Sequence, residues 1–332
     1  MNINNIFDFC LDLNESKNKV IYFIGGMIQN SLFTIAIDND SKKVYSYSNE
    51  WLFLIKRYYP SNLEYYFSFV SYYNNIVSTN ELDNSYSSYD VIPFITSFSN
   101  GTVHGYSGLF FILNEYINNY ENYKDYKILV YKDCQQGILD IINHFVNKNI
   151  MNEEKIIHIS SNKQYLFSSI KFIPNKWHMF PNNLKLELID NYIVEKDNLT
   201  LDNDKICIIK SSRSTNVTCD GIVSFETIER FCNKHNLLLV EPTKMNEIQL
   251  INLINKLKTF VTSWGTSFLK NYIYISDKCE KIIVLIIGTN FLNQYNSFKE
   301  NGNVQTKYKN ATISYHVVNF DLDLDVLKLI NE

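Results

Sequence analysis

The stretch KTFVTSWGTSFLKNYIYIS, Lys258 to Ser276, has the pattern that decides the fold of its part of the chain. It opens as an apolar, β-branched strand, passes through Ser263-Trp264-Gly265-Thr266-Ser267, and continues with apolar residues at helical spacing. A strand that leads through a turn into a helix is half of a strand–helix–strand unit, which builds a parallel sheet. Because the chain has only 10 glycines, Gly265 indicates either a sharp turn or a place where backbone N–H groups meet an anion.

The same alternation of strands and helices extends outward in both directions. Strands are predicted at VIYFIGGM (20–27), SLFTIAID (31–38), KKVYSYS (42–48), YKILVY (126–131), KIIHIS (155–160), QYLFSSIKFI (164–173), KICIIKS (205–211), LLLVEP (237–242), TFVTS (259–263), KIIVLIIG (281–288) and SYHVVNF (314–320). Helices are predicted at GYSGLFFILNEYINNY (105–120), QQGILDIINHFVNKN (135–149), NLKLELIDNYIVEK (183–196), SFETIERFCNKHN (224–236), NEIQLINLINKLK (246–258), TSFLKNYIYI (266–275) and DVLKLINE (325–332). The Ser/Tyr-rich residues 71–90 are predicted to be a loop.

Length and composition point to an α/β protein with two lobes. A chain of 332 residues is long for one core, and the Asn-rich region around 175–203 is a candidate linker, so we expect lobes at 1–185 and 186–332 with a cleft between them. The net charge of -4 argues against nucleic-acid binding, and the six cysteines form no CxxC pair that would suggest a zinc site. The N-terminus resembles neither a signal peptide nor a membrane anchor, so we expect a soluble cytoplasmic protein. The abundance of Asn, Ile, Lys and Tyr is typical of AT-rich genomes, such as those of some large DNA viruses.

Three segments follow strands of the second lobe, at the edge where parallel sheets bind ligands. In the first, Ser212 and Arg213 place a guanidinium among hydroxyls, suited to a diphosphate, although a surface arginine is a simpler interpretation. In the second, Glu241 could accept a hydrogen bond from a ribose or a base, or simply end its strand. In the third, the N–H groups and hydroxyls of residues 263–267 favour phosphate, although helix capping alone could explain them. Together they predict a phosphate-bearing, nucleotide-linked ligand.

Other candidate chemistry lies outside these segments. His104 precedes an apolar helical stretch in the first lobe and could act as a general base, or it could cap or pack against the helix. Ser107 in HGYSGL gives a weak hydrolase alternative, because the pattern G-x-S-x-G is not fulfilled. Asp321, Asp323 and Asp325 have the D-x-D spacing of some cation sites, but carboxylates at a helix start explain them more simply.

The order of features from about Tyr126 to Gly288 resembles the inverting glycosyltransferases of family 61, which include plant xylan arabinosyl- and xylosyltransferases and secretory-pathway O-linked N-acetylglucosamine transferases. The resemblance rests on five features in this order: a helix entered through a histidine, NGTVHGYSGLFFILNEY; the strand YKILVY; a strand that ends in Ser-Arg, IIKSSRS; the segment LLLVEPTKMNEIQLINLINKLKTFVTSWGTSFLKN; and the strand KIIVLII. The family typically carries His-Gly-Ala-Gly at the turn beside the donor diphosphate. Here Trp264 replaces the histidine, Gly265 is kept, and Thr266 and Ser267 replace the small residues.

The resemblance implies a GT-B-type enzyme with two Rossmann-like lobes. Such an enzyme transfers a sugar from a nucleotide sugar, commonly UDP-linked, to a glycan or protein hydroxyl, without a metal or other cofactor. Arg213 matches the family position near the phosphates, Glu241 and Gln249 match the stretch that lines the nucleotide, and His104 matches the histidine of the acceptor lobe. Because Trp264 departs from the family pattern, a degenerate binding or structural protein is the alternative expectation.

Overall fold

The computed structural model divides the chain into two units, Met1–Met179 (unit 1) and Phe180–Glu332 (unit 2). For the strands before residue 47, the structure describes the backbone alone. The described residues are 11–12, 15–16, 19–28, 31–38, 44–46, 82–94, 102–132, 134–160, 163–171, 173, 188–194, 204–208 and 225–318.

Unit 1 contains two sheets and two α-helices among its described residues. The strands are β1 (Leu11–Asp12), β2 (Glu15–Ser16), β3 (Val20–Ile28), β4 (Ser31–Asp38), β5 (Val44–Ser46), β6 (Leu82–Asp83), β7 (Asp90–Pro93), β8 (Lys127–Tyr131), β9 (Ile156–Ile159), β10 (Lys163–Phe167) and β11 (Ser169–Lys171). The helices are α1 (Thr102–Asn118) and α2 (Gln136–Asn147). The first sheet has the order β1-β5-β4-β3-β10-β6, and its central strands β5, β4, β3 and β10 pair antiparallel.

The second sheet of unit 1 has the order β2-β11-β7-β8-β9. Its strands β11, β7, β8 and β9 pair parallel. Between β7, β8 and β9, helices α1 and α2 return the chain to the starting edge of the sheet. Buried residues recur at helical spacing on both helices, which explains why these sequences fold as helices. They are Leu109, Phe110, Ile112, Leu113 and Tyr116 on α1, and Ile138, Ile141, Ile142 and Phe145 on α2.

Unit 2 is built on one six-stranded sheet, among its described residues, with the order β13-β12-β14-β15-β17-β16. All neighbouring strands pair parallel except β16, which forms an antiparallel edge with β17. The strands are β12 (Lys205–Ile208), β13 (Leu238–Leu239), β14 (Thr259–Ser263), β15 (Lys281–Ile287), β16 (Lys307–Tyr308) and β17 (Ala311–Val318). The helices are α3 (Phe225–Lys234), α4 (Glu247–Asn255), α5 (Thr266–Asn271) and α6 (Thr289–Glu300).

The core of unit 2 explains its unbroken apolar strands. In β15, every residue after Lys281 is buried, as expected for a strand covered on both faces. Cys207 and Val261 from the sheet pack with Ile228 and Phe231 of α3, while Trp264, directly after β14, contacts aromatic rings of α6. The predicted α/β class is therefore confirmed.

Several predicted elements differ from the observed ones. The segment predicted as one strand at 164–173 forms two, β10 and β11, which belong to different sheets. The strand predicted at 237–242 is reduced to β13, since Glu241 and Pro242 lead directly into a 3₁₀ turn. Within the helix predicted at 183–196, the structure describes only residues 188–194, with a π-helical turn at Ile189–Ile193. Helix α6 was not predicted, and the predicted terminal helix at 325–332 lies outside the described residues.

Candidate functional site

The candidate site is the carboxyl edge of the unit 2 sheet, where β12 lies between β13 and β14. The strand that follows β12 in the chain, β13, lies on one side of it in the sheet, and the later strands β14, β15 and β17 lie on the other side. The strand order therefore reverses between β12 and β14. In open parallel sheets, ligands bind in the crevice outside the carboxyl ends of the strands at such a switch point.

The register of the strands brings two of the predicted segments to one level. Leu239, Cys207 and Val261 form one row across β13, β12 and β14. Glu241 and Ser263 each follow that row by two residues in the sequence, Glu241 just beyond β13 and Ser263 as the last residue of β14. Since neighbouring strands are about 4.8 Å apart, β13 and β14 lie about 10 Å apart on either side of β12, which is within the span of a single nucleotide. Ser212 and Arg213 follow β12 in the sequence, within residues 209–224, which lie outside the described residues.

Gly265 forms the turn between β14 and α5 with a backbone conformation that other residues rarely adopt. Its φ is 99° and its ψ is -145°. A Cβ atom on Gly265 would stand 2.8 Å from Cε1 of Phe291 in α6. The glycine is thus required both by the turn and by the close approach of an aromatic ring.

The first turn of α5 begins directly after Gly265. The first α-helical hydrogen bond of α5 runs from the backbone N–H of Leu269 to the carbonyl of Gly265, at 2.9 Å. The backbone N–H groups of Thr266, Ser267 and Phe268 come before Leu269 in the helix, so they have no acceptor within it. Ser267 is half-buried in this turn, Ser263 is 7% exposed, and the side chain of Thr266 lies outside the described part of the chain.

Trp264 belongs to the core. Its side chain is 2% exposed, and its Nε1 donates a hydrogen bond to Oε1 of Gln294 at 3.0 Å. Its backbone N–H donates to the carbonyl of Leu285 at 2.8 Å, which extends the pairing of β14 with β15. The indole contacts the aromatic cluster, a set of rings from α5, α6 and β17: Phe268, Tyr295, Phe298 and Tyr315. Burial raises the pKa of the Tyr315 hydroxyl above its ordinary value, so this hydroxyl stays uncharged.

Glu241 and Gln249 both have local partners. Lys244 Nζ lies 2.8 Å from Oε1 of Glu241, in an ion pair that is largely exposed on the lysine side. Gln249 completes the capping box of α4. Its Oε1 accepts from the N–H of Asn246, while Oδ1 of Asn246 accepts from the N–H of Ile248 at 2.9 Å. These contacts account for Gln249 without a ligand.

A buried ionic contact joins α4 to α5, and sequence reasoning missed it. Nζ of Lys270 lies 2.6 Å from Oε2 of Glu247, and the two side chains are 10% and 6% exposed. The hydroxyl of Tyr274 donates to the other oxygen of the same carboxylate at 3.2 Å. Glu247 stands in the first turn of α4, where the helix dipole also favours a carboxylate. The partners are 23 residues apart in the chain, so no local pattern signals the pair.

Thr262 in β14 pairs with Ile208 in β12, and this is the last pair that the two strands form. Its hydroxyl is buried. Its side chain is fully buried, and its Oγ1 has no hydrogen-bond partner among the described residues. Leaving such a group unsatisfied costs about 1–3 kcal/mol relative to a satisfied one.

In the second sheet of unit 1, the strand order also reverses, between β7 and β11. His104 is the third residue of α1, which follows β7, and its side chain lies outside the described part of the chain. Ser107 is the sixth residue of α1, inside the helix, whereas a nucleophile elbow needs the serine at a strand-to-helix turn. Asp321, Asp323 and Asp325 lie outside the described residues.

Within the described ranges, no three His, Cys, Asp or Glu side chains are grouped so that they could hold a metal ion. Of the helices that the structure describes, none has both the length and the apolar character needed to cross a bilayer. No protein-family profile matches the chain, and no curated protein is significantly similar to it.

Proposed function

We propose that the protein is an inverting, metal-independent glycosyltransferase of the GT-B type. It transfers a sugar from a UDP-linked donor to a hydroxyl of a glycan or protein acceptor. The observation that carries the proposal is the reversal of strand order between β12 and β14, because doubly wound sheets bind nucleotides outside such a reversal. The short segments that follow these strands bear Arg213 and the Gly265–Ser267 turn, the groups suited to a diphosphate.

In this mechanism the acceptor oxygen attacks the anomeric carbon while the bond from that carbon to the donor phosphate breaks. His104 takes the acceptor proton, and UDP leaves with the bonding electrons. Arg213 and the N–H groups at the start of α5 offset the negative charge that develops on the leaving diphosphate. The buried Glu247–Lys270 contact supports this edge by fixing α5 against α4.

Nucleotide binding is the first test. We expect isothermal titration calorimetry to show UDP binding, and Arg213→Ala to weaken it by about tenfold to a hundredfold, the range for a charge-assisted hydrogen bond. Arg230→Ala is the matched control, because Arg230 is an exposed arginine of α3, away from the carboxyl edge. The proposal fails if UDP, GDP and their sugars give no binding heat, or if Arg213→Ala binds UDP as the wild type does.

Turnover is the second test. Release of UDP from a UDP-sugar, measured by chromatography with and without a glycan acceptor, should fall by about 10²-fold or more in Arg213→Ala, as when a preorganised donor is removed from an anion site. His104→Ala should reduce transfer to the acceptor while UDP still binds. Full transfer by His104→Ala would remove this histidine as the base.

A second candidate function is nucleotide binding without catalysis, and the position of Trp264 favours it. At the turn where the resembling family carries a histidine, this side chain is buried and bonded to Gln294. Its backbone N–H is also committed to Leu285, so Trp264 has no polar hydrogen left to offer a substrate. Tight UDP binding combined with no release of UDP from any UDP-sugar would select this candidate over the transferase.

A further inference from the structure

A concave site lies in unit 1, in the described region between Tyr120 and Glu154. It is a cavity of about 900 Å³, open to solvent, and its exposed lining is dominated by polar side chains. Those on which the argument rests are Tyr120, Asn147, Asn149, Asn152, Glu153 and Glu154. The volume lies within the roughly 300–1,000 Å³ of small-molecule sites.

The cavity occupies the amino edge of the second sheet of unit 1. Tyr120 belongs to the connection between α1 and β8, Val146 and Asn147 end α2, and the other lining residues connect α2 to β9. Because β8 and β9 are parallel neighbours, both connections lie at the ends where these strands begin. In a parallel sheet, the amino ends of the strands lie at the edge opposite their carboxyl ends. The cavity is therefore separate from the carboxyl edge, where β7 leads into α1, the helix that contains His104.

Backbone hydrogen bonds fix the walls of the cavity in advance. The end of α2 forms a Schellman cap: the N–H of Asn149 donates to Val146 at 2.8 Å, and the N–H of Ile150 donates to Phe145 at 3.0 Å. Asn149 adopts the left-handed conformation that this cap requires, with φ 55°. Further along the same connection, Oδ1 of Asn152 accepts from the N–H of Glu154 at 2.9 Å and caps a 3₁₀ turn. A preformed wall reduces the ordering cost of binding a ligand.

The chemistry of the lining restricts the ligand. Glu153 and Glu154 repel phosphates and nucleotides, and no lysine or arginine is among the described residues that line the cavity. The two carboxylates do not complete a metal site, since no group of three suitable ligands exists among the described residues. Amide and carboxylate groups are instead suited to a ligand with many hydroxyls, because a hydroxyl both donates and accepts.

Tyr120 supplies an aromatic surface for such a ligand. Its side chain is 42% exposed, and its ring rests edge-on against the buried ring of Tyr116, with 5.8 Å between centroids. The C–H face of a pyranose ring is apolar and packs well on an aromatic ring, while the sugar hydroxyls point outward to polar groups. A tyrosine of fixed position beside asparagine and glutamate side chains therefore matches the two faces of a sugar.

From this combination we infer that the cavity binds an uncharged oligosaccharide, with one sugar ring on Tyr120 and its neighbours hydrogen-bonded to Asn147, Asn152 and Glu153. The inference does not depend on the proposed transferase function. Sugar binding here would persist in a protein that binds no nucleotide, and nucleotide binding at the carboxyl edge of unit 2 would persist without it.

The test uses the full chain with four uncharged probes: maltotetraose, cellotetraose, chitotetraose and mannotetraose. Saturation-transfer NMR and calorimetry should show binding of at least one of them. Tyr120→Ala should weaken that binding by about tenfold, since an aromatic contact is lost together with its buried area. Tyr89→Ala is the matched control because Tyr89 is 39% exposed and does not line the cavity, so its affinity should equal that of the wild type.

Two further variants protect the test from misinterpretation. Asn147→Arg places a long side chain in the cavity and should also abolish binding, while a basic residue in the last turn of α2 is favourable for the helix. Glu153→Gln replaces an acceptor-only carboxylate by an amide that both donates and accepts, and it removes the negative charge that a basic peptide would need. It should weaken oligosaccharide binding less than Asn147→Arg does.

Three results would overturn the inference. The first is that no tetrasaccharide binds, and the second is that Tyr120→Ala and Asn147→Arg bind the tetrasaccharide as the wild type does. The third is that the cavity instead binds a tetralysine peptide, and that Glu153→Gln no longer binds this peptide. The last result would identify an electrostatic site for a basic peptide.

Discussion

At the scale of single residues, Gly265 carries two constraints that usually occur apart. Its positive φ with extended ψ lies in a region that only glycine occupies readily. The space where a Cβ atom would stand is also taken by the ring of Phe291. The sequence suggested that this glycine leaves room for a ligand beside the backbone. The structure shows an aromatic ring in that room, so any ligand of this turn meets the N–H groups that follow Gly265.

Gly265→Ala should therefore destabilise the protein by about 2–4 kcal/mol, the sum of backbone strain and overpacking. Gly302→Ala is the matched control, because Gly302 also has a positive φ, 69°, but nothing lies within 4 Å of a Cβ atom there. Its substitution should cost only about 1 kcal/mol. Urea unfolding followed by circular dichroism measures both variants. Equal losses of stability would show that Phe291 does not restrict Gly265.

At the scale of secondary structure, the sequence predicted best where burial is uniform. The unbroken apolar run of β15 and the helical spacing on α1 are strong local signals, and both elements form where they were expected. Helix α6 has a weaker signal, since Phe291, Leu292, Tyr295 and Phe298 are spaced for a helix but alternate with Asn, Gln and Ser. Its omission mattered for the site, because the neighbours that explain Gly265 and Trp264 come from this helix.

Contacts between elements are the part of the site that a sequence does not signal. The predicted Glu241 and Gln249 have local partners at three residues' distance, whereas Glu247 and Lys270 meet only after β14 has brought α5 beside α4. Glu247 reads in the sequence as one more acidic residue at a helix start. Its burial and its pairing depend on the whole sheet, so no local pattern could have distinguished it from an exposed capping residue.

The ion pair between Glu247 and Lys270 should contribute more to the free energy of unfolding than any exposed ion pair of the protein. Because both side chains are almost fully buried, Glu247→Gln or Lys270→Met alone should reduce the free energy of unfolding by about 3–5 kcal/mol. The double variant should lose less than the sum of the two, with a coupling of about 1–3 kcal/mol. Lys244→Met, which removes the exposed partner of Glu241, should change stability by less than about 1 kcal/mol. Strictly additive losses in the double variant would contradict the coupling.

At the scale of the whole molecule, the two proposed sites use opposite edges of parallel sheets. The carboxyl edge of the unit 2 sheet gathers helix starts, which suit an anion, and Arg213 follows β12 in the sequence. The amino edge of the second unit 1 sheet gathers the end of α2, two carboxylates and an exposed tyrosine, which suit an uncharged ligand. If both proposals hold, the polarity of the strands separates two kinds of ligand chemistry within one chain.

Hydrogen–deuterium exchange can assign each ligand to its edge in one experiment. UDP should slow the exchange of the amides from Thr266 to Phe268, because a bound diphosphate accepts hydrogen bonds from the start of α5, and it should leave residues 120–122 and 152–155 unchanged. The bound tetrasaccharide should do the reverse, since its hydroxyls restrict the turns that form the cavity walls. In Arg213→Ala the protection by UDP should weaken while the protection by the tetrasaccharide persists, and in Tyr120→Ala the pattern should be the opposite. Protection of both edges by a single ligand would contradict two separate sites and would instead indicate one site or a change that extends through the whole chain.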